Sequence, residues 1–182
     1  AWNELFRNYC AAYPELAAEW DAWFNGQMPD LWNDSEFFSF KGPDATRNSS
    51  GIVLNRLAAV LPNLMGGSAD LAPSNKSDIK GGGDFSAENR AGRNLHFGVR
   101  EHAMAAITNG MALHGGLHPY CATFFVFSDY MKHAMRMAAI MKLQVPYILT
   151  HDSIGVGEDG PTHQPVEQLA MLRSIPGMTV FR

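Results

Sequence analysis

The sequence changes character at Phe97-Gly98-Val99-Arg100-Glu101-His102-Ala103-Met104, where a short apolar run gives way to a helical pattern. Ionisable side chains meet at this junction. An acid placed here lies near the positive end of a helix dipole, which favours its charged form, whereas burial in a sheet favours its neutral form. These opposed influences suit a carboxylate that handles protons. The plainer interpretation is a surface ion pair between Arg100 and Glu101 at the start of a helix.

Strands and helices alternate on both sides of that junction. The predicted strands cover residues 64–67, 95–99, 119–124, 145–150 and 178–181. The predicted helices cover residues 100–113, 127–142 and 166–172, together with an earlier helix that Ser49 and Ser50 cap and Pro62 ends. This alternation predicts a three-layer α/β/α domain with a mainly parallel sheet and helices on both faces. Right-handed crossovers place the loops after the strands on one edge, where open α/β folds bind ligands.

The first 44 residues differ in pattern from the rest. Apolar side chains spaced by three and four residues from Trp2 to Phe24 predict an amphipathic helix that is interrupted at Pro14. Residues 25–44 combine Gly, Pro and Asp with scattered aromatic residues, which is typical of an ordered linker. We therefore expect an N-terminal helix and linker over residues 1–44 and one globular domain over residues 45–182.

Composition argues against several classes of protein. With 14 Lys and Arg against 18 Asp and Glu, the charge is mildly negative and indicates no nucleic-acid-binding surface. The sequence shows neither an apolar stretch long enough to span a membrane nor a targeting pattern at its start. Cys10 and Cys121 fit no metal-ligand spacing, which favours a reducing, cytoplasmic location.

An aromatic stripe follows the third predicted strand. Phe124, Phe127 and Tyr130 recur every third residue as the strand passes into a helix. Core packing is the ordinary explanation for such a stripe. The helix that follows already has a full set of buried apolar residues, so a cage for a flat heterocycle is the alternative.

The loop after the fourth strand is polar and rich in Gly and Pro. His151, Asp159 and His163 fit no metal-ligand spacing, so we predict no metal site and favour contacts to hydroxyl groups. Gly155–Gly160 formally matches the dinucleotide-binding pattern. However, Pro161 follows it, and no acid stands where a ribose contact is needed.

Two further residues could bind an anion. Arg47 precedes the first helix of the domain, and Ser74 lies in the loop after the first strand. Helix starts and cationic side chains both attract phosphate. Either residue could equally be an ordinary solvated one.

Four segments together closely resemble transketolase. They are Gly66-Gly67-Ser68-Ala69-Asp70-Leu71, Phe97-Gly98-Val99-Arg100-Glu101-His102, Thr123-Phe124-Phe125-Val126-Phe127 and the run from Thr150 to Pro165. The resemblance covers nearly the whole chain. It implies the thiamine diphosphate-binding fold of the central domain, which binds the aminopyrimidine half of the cofactor. It also implies an enzyme of the pentose phosphate pathway that moves a two-carbon ketol unit from a ketose phosphate to an aldose phosphate.

The resemblance also implies roles for individual residues. Glu101 would be catalytic, hydrogen-bonding the aminopyrimidine ring nitrogen and favouring the 4′-imino tautomer that takes the proton from the thiazolium carbon. The other implied cofactor contacts are Asp70, Leu71, Phe124, Phe127 and Tyr130. The implied sugar phosphate contacts are His151, also catalytic, and Asp159 at the hydroxyls, with Arg47, Ser74 and His163 at the phosphate end.

One family motif is missing from these residues. The sequence contains no Gly-Asp-Gly followed further on by Asn, the pattern with which the superfamily holds Mg2+ (or Ca2+) and the diphosphate. The resemblance then implies that a second subunit supplies the diphosphate-binding domain, so that Glu101 acts in trans in a homodimer and the chain alone is inactive. Two alternatives are a dihydroxyacetone synthase-like relative and a non-catalytic subunit that pairs with a diphosphate-binding partner.

Overall fold

The computed structural model describes residues 1–157 and 159–182, so Glu158, within the Gly155–Gly160 motif, lies outside the described residues. The helices are α1 (Trp2–Ala12), α2 (Pro14–Phe24), α3 (Thr46–Val60), α4 (Ala72–Asn75), α5 (Glu101–His114), α6 (Ser128–Ile140) and α7 (Gln168–Arg173). The strands are β1 (Leu64–Ser68), β2 (Asn94–His96), β3 (His118–Phe124) and β4 (Tyr147–Thr150). A 3₁₀ turn, Phe125–Phe127, joins β3 to α6.

The strands form one parallel sheet in the order β2-β1-β3-β4, which confirms the predicted parallel arrangement. The central strand β1 carries a glycine pair that its neighbours approach closely. A Cβ atom on Gly66 would stand 2.2 Å from the Tyr120 carbonyl oxygen, and one on Gly67 would stand 1.8 Å from the Leu95 carbonyl oxygen. Chain order reverses between β1 and β3, the kind of position at which open α/β sheets bind ligands.

Two apolar clusters, one on each face of the sheet, make up the core. Adjacent residues of β3 point to opposite faces, so Tyr120 packs with α3 and Cys121 packs with α5 and α6. Leu172 and Ile175, in and after α7, complete the second cluster. The predicted three-layer α/β/α domain is therefore confirmed.

The prediction for the start of α3 is wrong. The helix begins at Thr46, so Ser49 and Ser50 lie inside it and cap nothing. No side chain caps the helix itself, but Asp44, just before it, accepts hydrogen bonds at its Oδ1 from the Ala45 N–H at 2.7 Å and from Asn48 Nδ2 at 2.8 Å. These bonds stabilise the first turn, which carries Arg47.

Two strand predictions also need correction. Residues 178–181 form no strand, although Met178 and Val180 pack against the core. Apolar residues alternate in this stretch because every second side chain is buried. Such alternation does not require hydrogen bonds to a neighbouring strand. Strand β2 ends at His96 rather than residue 99, since Gly98 has a φ of +66° and breaks the extended run.

The long segment between β1 and β2 is ordered by buried hydrogen bonds. The Tyr120 hydroxyl donates to the Ser77 carbonyl oxygen at 2.6 Å. The Asn94 side chain accepts from the Ile79 N–H at 2.8 Å and donates to the Ile79 carbonyl at 3.0 Å. The segment is thus fixed to β3 and β2.

The N-terminal helices and the linker are attached at two places. The Phe24 ring lies against Gly115 and Gly116 at the end of α5, close enough that a Cβ on Gly116 would stand 2.8 Å from it. Arg56 of α3 donates to the carbonyls of Phe37 and Ser39. The helix break predicted at Pro14 is confirmed.

Within the part of the chain that the structure describes, no helix is both long and apolar enough to cross a membrane. The longest described helix is α3, with 15 residues. Its buried residues, Leu54 and Ala58, face the sheet. The buried side of α3 is thus accounted for by its packing against the sheet.

The Tyr120→Phe substitution tests the buried anchor of the segment after β1. Tyr120 is 1% exposed, and burial raises the pKa of its hydroxyl, which stays protonated as a donor. Loss of that donor leaves the Ser77 carbonyl unsatisfied, so we expect the free energy of unfolding to fall by about 1–3 kcal/mol. Urea denaturation measures the change. Tyr13→Phe, at a residue 54% exposed, is the control, and an equal effect of both substitutions would contradict the prediction.

Candidate functional site

Four segments that follow or end the strands meet at the carboxyl edge of the sheet. Asp70 follows β1, Glu101 follows β2, Phe124 ends β3 and His151 follows β4. Because the strand order is β2-β1-β3-β4, these residues run along the edge in the order Glu101, Asp70, Phe124, His151. The sequence prediction that they share one edge is confirmed.

Glu101 is the first residue of α5 and is only 9% exposed. The ion pair with Arg100 does not form, because Arg100 Nη1 donates to the Phe97 carbonyl at 2.9 Å. Among residues 1–157 and 159–182, no group forms a salt bridge or a hydrogen bond with the Glu101 carboxyl group. A buried carboxyl group at a helix N-terminus is thus left open to a ligand.

The aromatic stripe forms a continuous row of rings. Phe124 and Phe127 stack with centroids 6.0 Å apart and planes at 10°, and Phe127 and Tyr130 lie 6.2 Å apart. Phe124 is buried, whereas Tyr130 is 63% exposed. The row therefore leads from the core to the surface, and its outer end is open to a ligand, which simple core packing would not leave so.

His151 joins three elements of the fold. Its ring centroid lies 3.8 Å from that of Phe124, and Arg47 Nη1 of α3 lies 3.1 Å from its Nε2. Because Arg47 can only donate, Nε2 accepts, and the ring proton belongs on Nδ1, which lies 3.0 Å from Thr150 Oγ1. This tautomer is inferred from the hydrogen bonds.

The surroundings of His151 favour its neutral form. Burial lowers the pKa of the imidazole below its ordinary value, and the nearby charges of Arg47 and His163 lower it further. The carboxylate of Asp159 opposes this effect. His151 is therefore a neutral hydrogen-bonding group near pH 7, and its charge can respond to an anion.

His163 completes a corner of the site. Its ring meets Phe124 and Phe127 edge-on, with centroids 6.2 Å and 5.4 Å away. Arg47 from α3, and His151 and His163 from the two ends of the loop after β4, thereby present nitrogen atoms around the aromatic row. We call Arg47, His151 and His163 the basic corner. Its single fixed positive charge, on Arg47, suits an anion.

Asp70, Leu71 and Ser74 occupy the turn after β1. Asp70 has a φ of +64°, as His151 has one of +56°, a backbone conformation uncommon for residues other than glycine. The Leu71 N–H is held by Ser68 Oγ at 3.2 Å. Ser74 lies half-buried in α4, which packs against β3 and β4. The turn thus lies between Glu101 and the basic corner.

The structure does not bring all the predicted residues into contact. Glu101 and His151 follow the outermost strands, three strand spacings or about 14 Å apart. Helix pairing relates Glu101 to the aromatic row instead, because α5 and α6 pack together with their N-termini at the same edge. Asn109 Nδ2 fixes this pairing through the Ala134 carbonyl at 2.8 Å. Glu101 and the aromatic row consequently lie at one end of the helix pair.

Sequence reasoning missed two supporting residues. Thr150 orients the His151 ring, and the buried Gln168 accepts from the Val166 N–H at 2.9 Å while donating to Asp129 Oδ2 at 3.0 Å. Gln168 therefore ties the end of the polar loop to the start of α6. Neither residue type is marked by spacing or composition, so no signal in the sequence could have found them.

No group of three or more His, Cys, Asp or Glu side chains is arranged to hold a metal ion in the described part of the chain. Asp84 and His96 form an exposed pair, with Nε2 and Oδ1 2.9 Å apart. That pair lies outside the row of site residues. The groups brought together at the edge are Glu101, the aromatic row and the basic corner.

Comparison with known proteins identifies close relatives. The family model described as "Transketolase, pyrimidine binding domain" matches residues 43–182. The chain is 56% identical to a transketolase of Halalkalibacterium halodurans, covering all of this chain and 28% of that protein. It is also 56% identical to a transketolase of Geobacillus stearothermophilus, covering all of this chain and 27% of that protein. The chain thus spans little more than a quarter of the length of these relatives.

Solved structures give the same result. Transketolase from Leishmania mexicana superposes with a TM-score of 0.86 at 46% identity, over 96% of this chain and 26% of that one. A transketolase from Pichia stipitis, solved in complex with sedoheptulose 7-phosphate, superposes with a TM-score of 0.87 at 43% identity, over 96% of this chain and 27% of that one. Family match, identity and fold agree. This chain belongs to the transketolase family and contains its pyrimidine-binding domain.

Proposed function

We propose that this chain forms the pyrimidine-binding part of an enzyme that transfers a two-carbon ketol unit from a ketose phosphate to an aldose phosphate with thiamine diphosphate. One observation supports this proposal above others. The carboxyl edge combines the buried, unpartnered Glu101 with a basic corner, and the aromatic row lies between them. Such an edge suits a heterocycle at one end and a phosphorylated sugar at the other.

The residues at the Glu101 end fit an aminopyrimidine. Phe124, Phe127 and Tyr130 offer ring faces for stacking, and Asp70 and Leu71 lie in the neighbouring turn. When bound, thiamine diphosphate supplies the nucleophilic carbon and the electron sink for breaking the sugar carbon–carbon bond. The contribution of the chain is to hold and orient the pyrimidine half.

Glu101 has the properties that its proposed catalytic role requires. A carboxyl group shares a proton with a ring nitrogen most effectively when it is shielded from water and has no competing partner. Glu101 is buried, and no described residue bonds to it. As the first residue of α5, it lies at the carboxyl edge of the sheet, where the cofactor would bind.

The basic corner fits the sugar phosphate. Arg47, Ser74 and His163 would bind the phosphate end, because a guanidinium, a hydroxyl and an imidazole all donate to anionic oxygens. His151 and Asp159 would bind the sugar hydroxyls. His151, neutral and fixed by Thr150, can also pass a proton to or from a hydroxyl during the reaction.

We also propose a partner for this edge. These 182 residues contain no motif for the diphosphate and its Mg2+ (or Ca2+). From the family resemblance we propose that the diphosphate-binding domain of a second subunit in a homodimer holds them. We place the division between N-terminal segment and domain near residue 44, which the family match from residue 43 supports. The free thiols of Cys10 and Cys121 are consistent with a cytoplasmic location.

The 182-residue chain alone should not catalyse ketol transfer. Glu101 and the basic corner are present, but nothing in the sequence holds the diphosphate. Product formation from xylulose 5-phosphate and ribose 5-phosphate, with thiamine diphosphate and Mg2+ added, measures this. The full-length protein is the positive control, and turnover by the purified chain would refute the need for a separate diphosphate-binding domain.

The Glu101→Gln substitution in the full-length protein tests the catalytic carboxylate. The amide keeps the size of the side chain but cannot exchange the proton, so we expect kcat to fall by about 100-fold or more. Steady-state kinetics measures the loss, and circular dichroism checks the fold. Glu19→Gln, on the exposed surface of α2, is the matched control. Near-normal turnover of Glu101→Gln would eliminate the proposed role.

His151 should make stability depend on pH. Because folding lowers its pKa from the ordinary 6.5, the unfolded chain binds more protons, and the free energy of unfolding decreases as the pH falls through that value. We expect this decrease, measured by urea denaturation between about pH 7 and about pH 5.5, to be smaller in His151→Gln. Arg47→Ala, which removes a nearby positive charge, should also reduce it. Curves that keep the original slope in both variants would contradict the assignment.

A further inference from the structure

One face of α3 lies along the segment after β1. Arg47, Gly51 and Asn55 are spaced by four residues and therefore share this face. Gly51 and Asn55 contact the segment 76–80, and Arg47, one turn earlier, reaches His151. The segment itself begins just after Ser74. The contact between α3 and this segment thus lies next to both Arg47 and Ser74, the two residues that we propose as phosphate ligands.

Gly51 allows the closest contact along this face. A Cβ atom at this position would stand 2.8 Å from both the Cβ atom and the carbonyl oxygen of Lys76. Since one of these is a backbone atom, Lys76 cannot move aside as a flexible side chain could. Gly110, in the middle of α5, differs in that a Cβ there would meet nothing within 4 Å.

Asn55 fixes the same two elements one turn further along. Its Nδ2 donates to the Asp78 carbonyl at 3.1 Å, and its Oδ1 accepts from the Lys80 N–H at 2.8 Å. We call the Gly51–Lys76 contact and these two hydrogen bonds the α3 seam. It fixes α3 against residues 76–80, the segment that directly follows the helix carrying Ser74.

We propose that the α3 seam sets the spacing of Arg47 and Ser74 and thereby determines the preference for phosphorylated over non-phosphorylated sugars. The inference rests on the proposed function, in which both residues bind the phosphate end. Hydrogen bonds to a phosphate weaken steeply when a donor moves away by a few tenths of an ångström or more. The residues at the Glu101 end make no contact through the α3 seam. A larger distance between α3 and residues 76–80 should therefore weaken phosphate binding and leave the Glu101 end unchanged.

Gly51→Ala in the full-length protein tests this proposal. The probes are erythrose 4-phosphate and erythrose, two acceptors that differ only in the phosphate. We expect KM for erythrose 4-phosphate to rise about tenfold, the loss for one weakened charge-assisted hydrogen bond, while kcat and the kinetics with erythrose stay within about twofold. Gly110→Ala adds the same methyl group to a helix in open space and should change neither acceptor.

Two further variants separate the possible failures. Asn55→Ala loosens the seam without adding a clash, should also raise KM selectively, and decides the question if Gly51→Ala does not fold. If Arg47→Ala loses the phosphate preference while Gly51→Ala and Asn55→Ala keep it, the seam inference is overturned and the proposed function stands. If Arg47→Ala keeps the preference, the proposed phosphate site fails, and the inference fails with it.

Discussion

The architecture depends on how closely the strands on either side can approach β1. At Gly66 and Gly67 the carbonyl oxygens of Tyr120 and Leu95 occupy the space that a side chain would need. No other residue fits this pair of positions without moving the neighbouring strands. Since the site residues are carried on the loops just past these strands, the glycine pair fixes the width of the edge on which they stand.

That edge separates two kinds of chemistry. At one end, a largely buried carboxyl group stands at a helix N-terminus with no partner among the described residues. At the other end, Arg47 holds a neutral His151 through a hydrogen bond, and the ring lies against Phe124. The aromatic row is shared, because Phe124 contacts His151 and leads through Phe127 toward solvent. A long, asymmetric ligand assembly suits such a surface better than a compact one.

Much of this could be predicted from the sequence. The alternation of strands and helices determined the layers and the parallel sheet, and thereby the meeting of Asp70, Glu101, Phe124 and His151 at one edge. Local ends were less predictable. Ser49 and Ser50 are favourable caps, yet Asp44 supplies the bonds at the start of α3, and Met178 and Val180 alternate in burial without pairing as a strand.

The supporting contacts of the site were beyond the reach of sequence patterns. Thr150 and Gln168 act through bonds to residues that only the fold brings near, and a glycine such as Gly51 looks unfavourable in a helix until its neighbour is known.

Arg56 attaches the linker to the middle of α3. The carbonyls of Phe37 and Ser39 are tied to the middle of α3, and the Arg56 guanidinium lies 5.2 Å from the centre of the Phe40 ring. Following the chain from α1 and α2, the attachment to Arg56 therefore comes before Asp44 and the first turn of α3. The linker is thus held to α3 two to three helical turns away from Arg47. The point of attachment therefore lies apart from the end of α3 that faces the site.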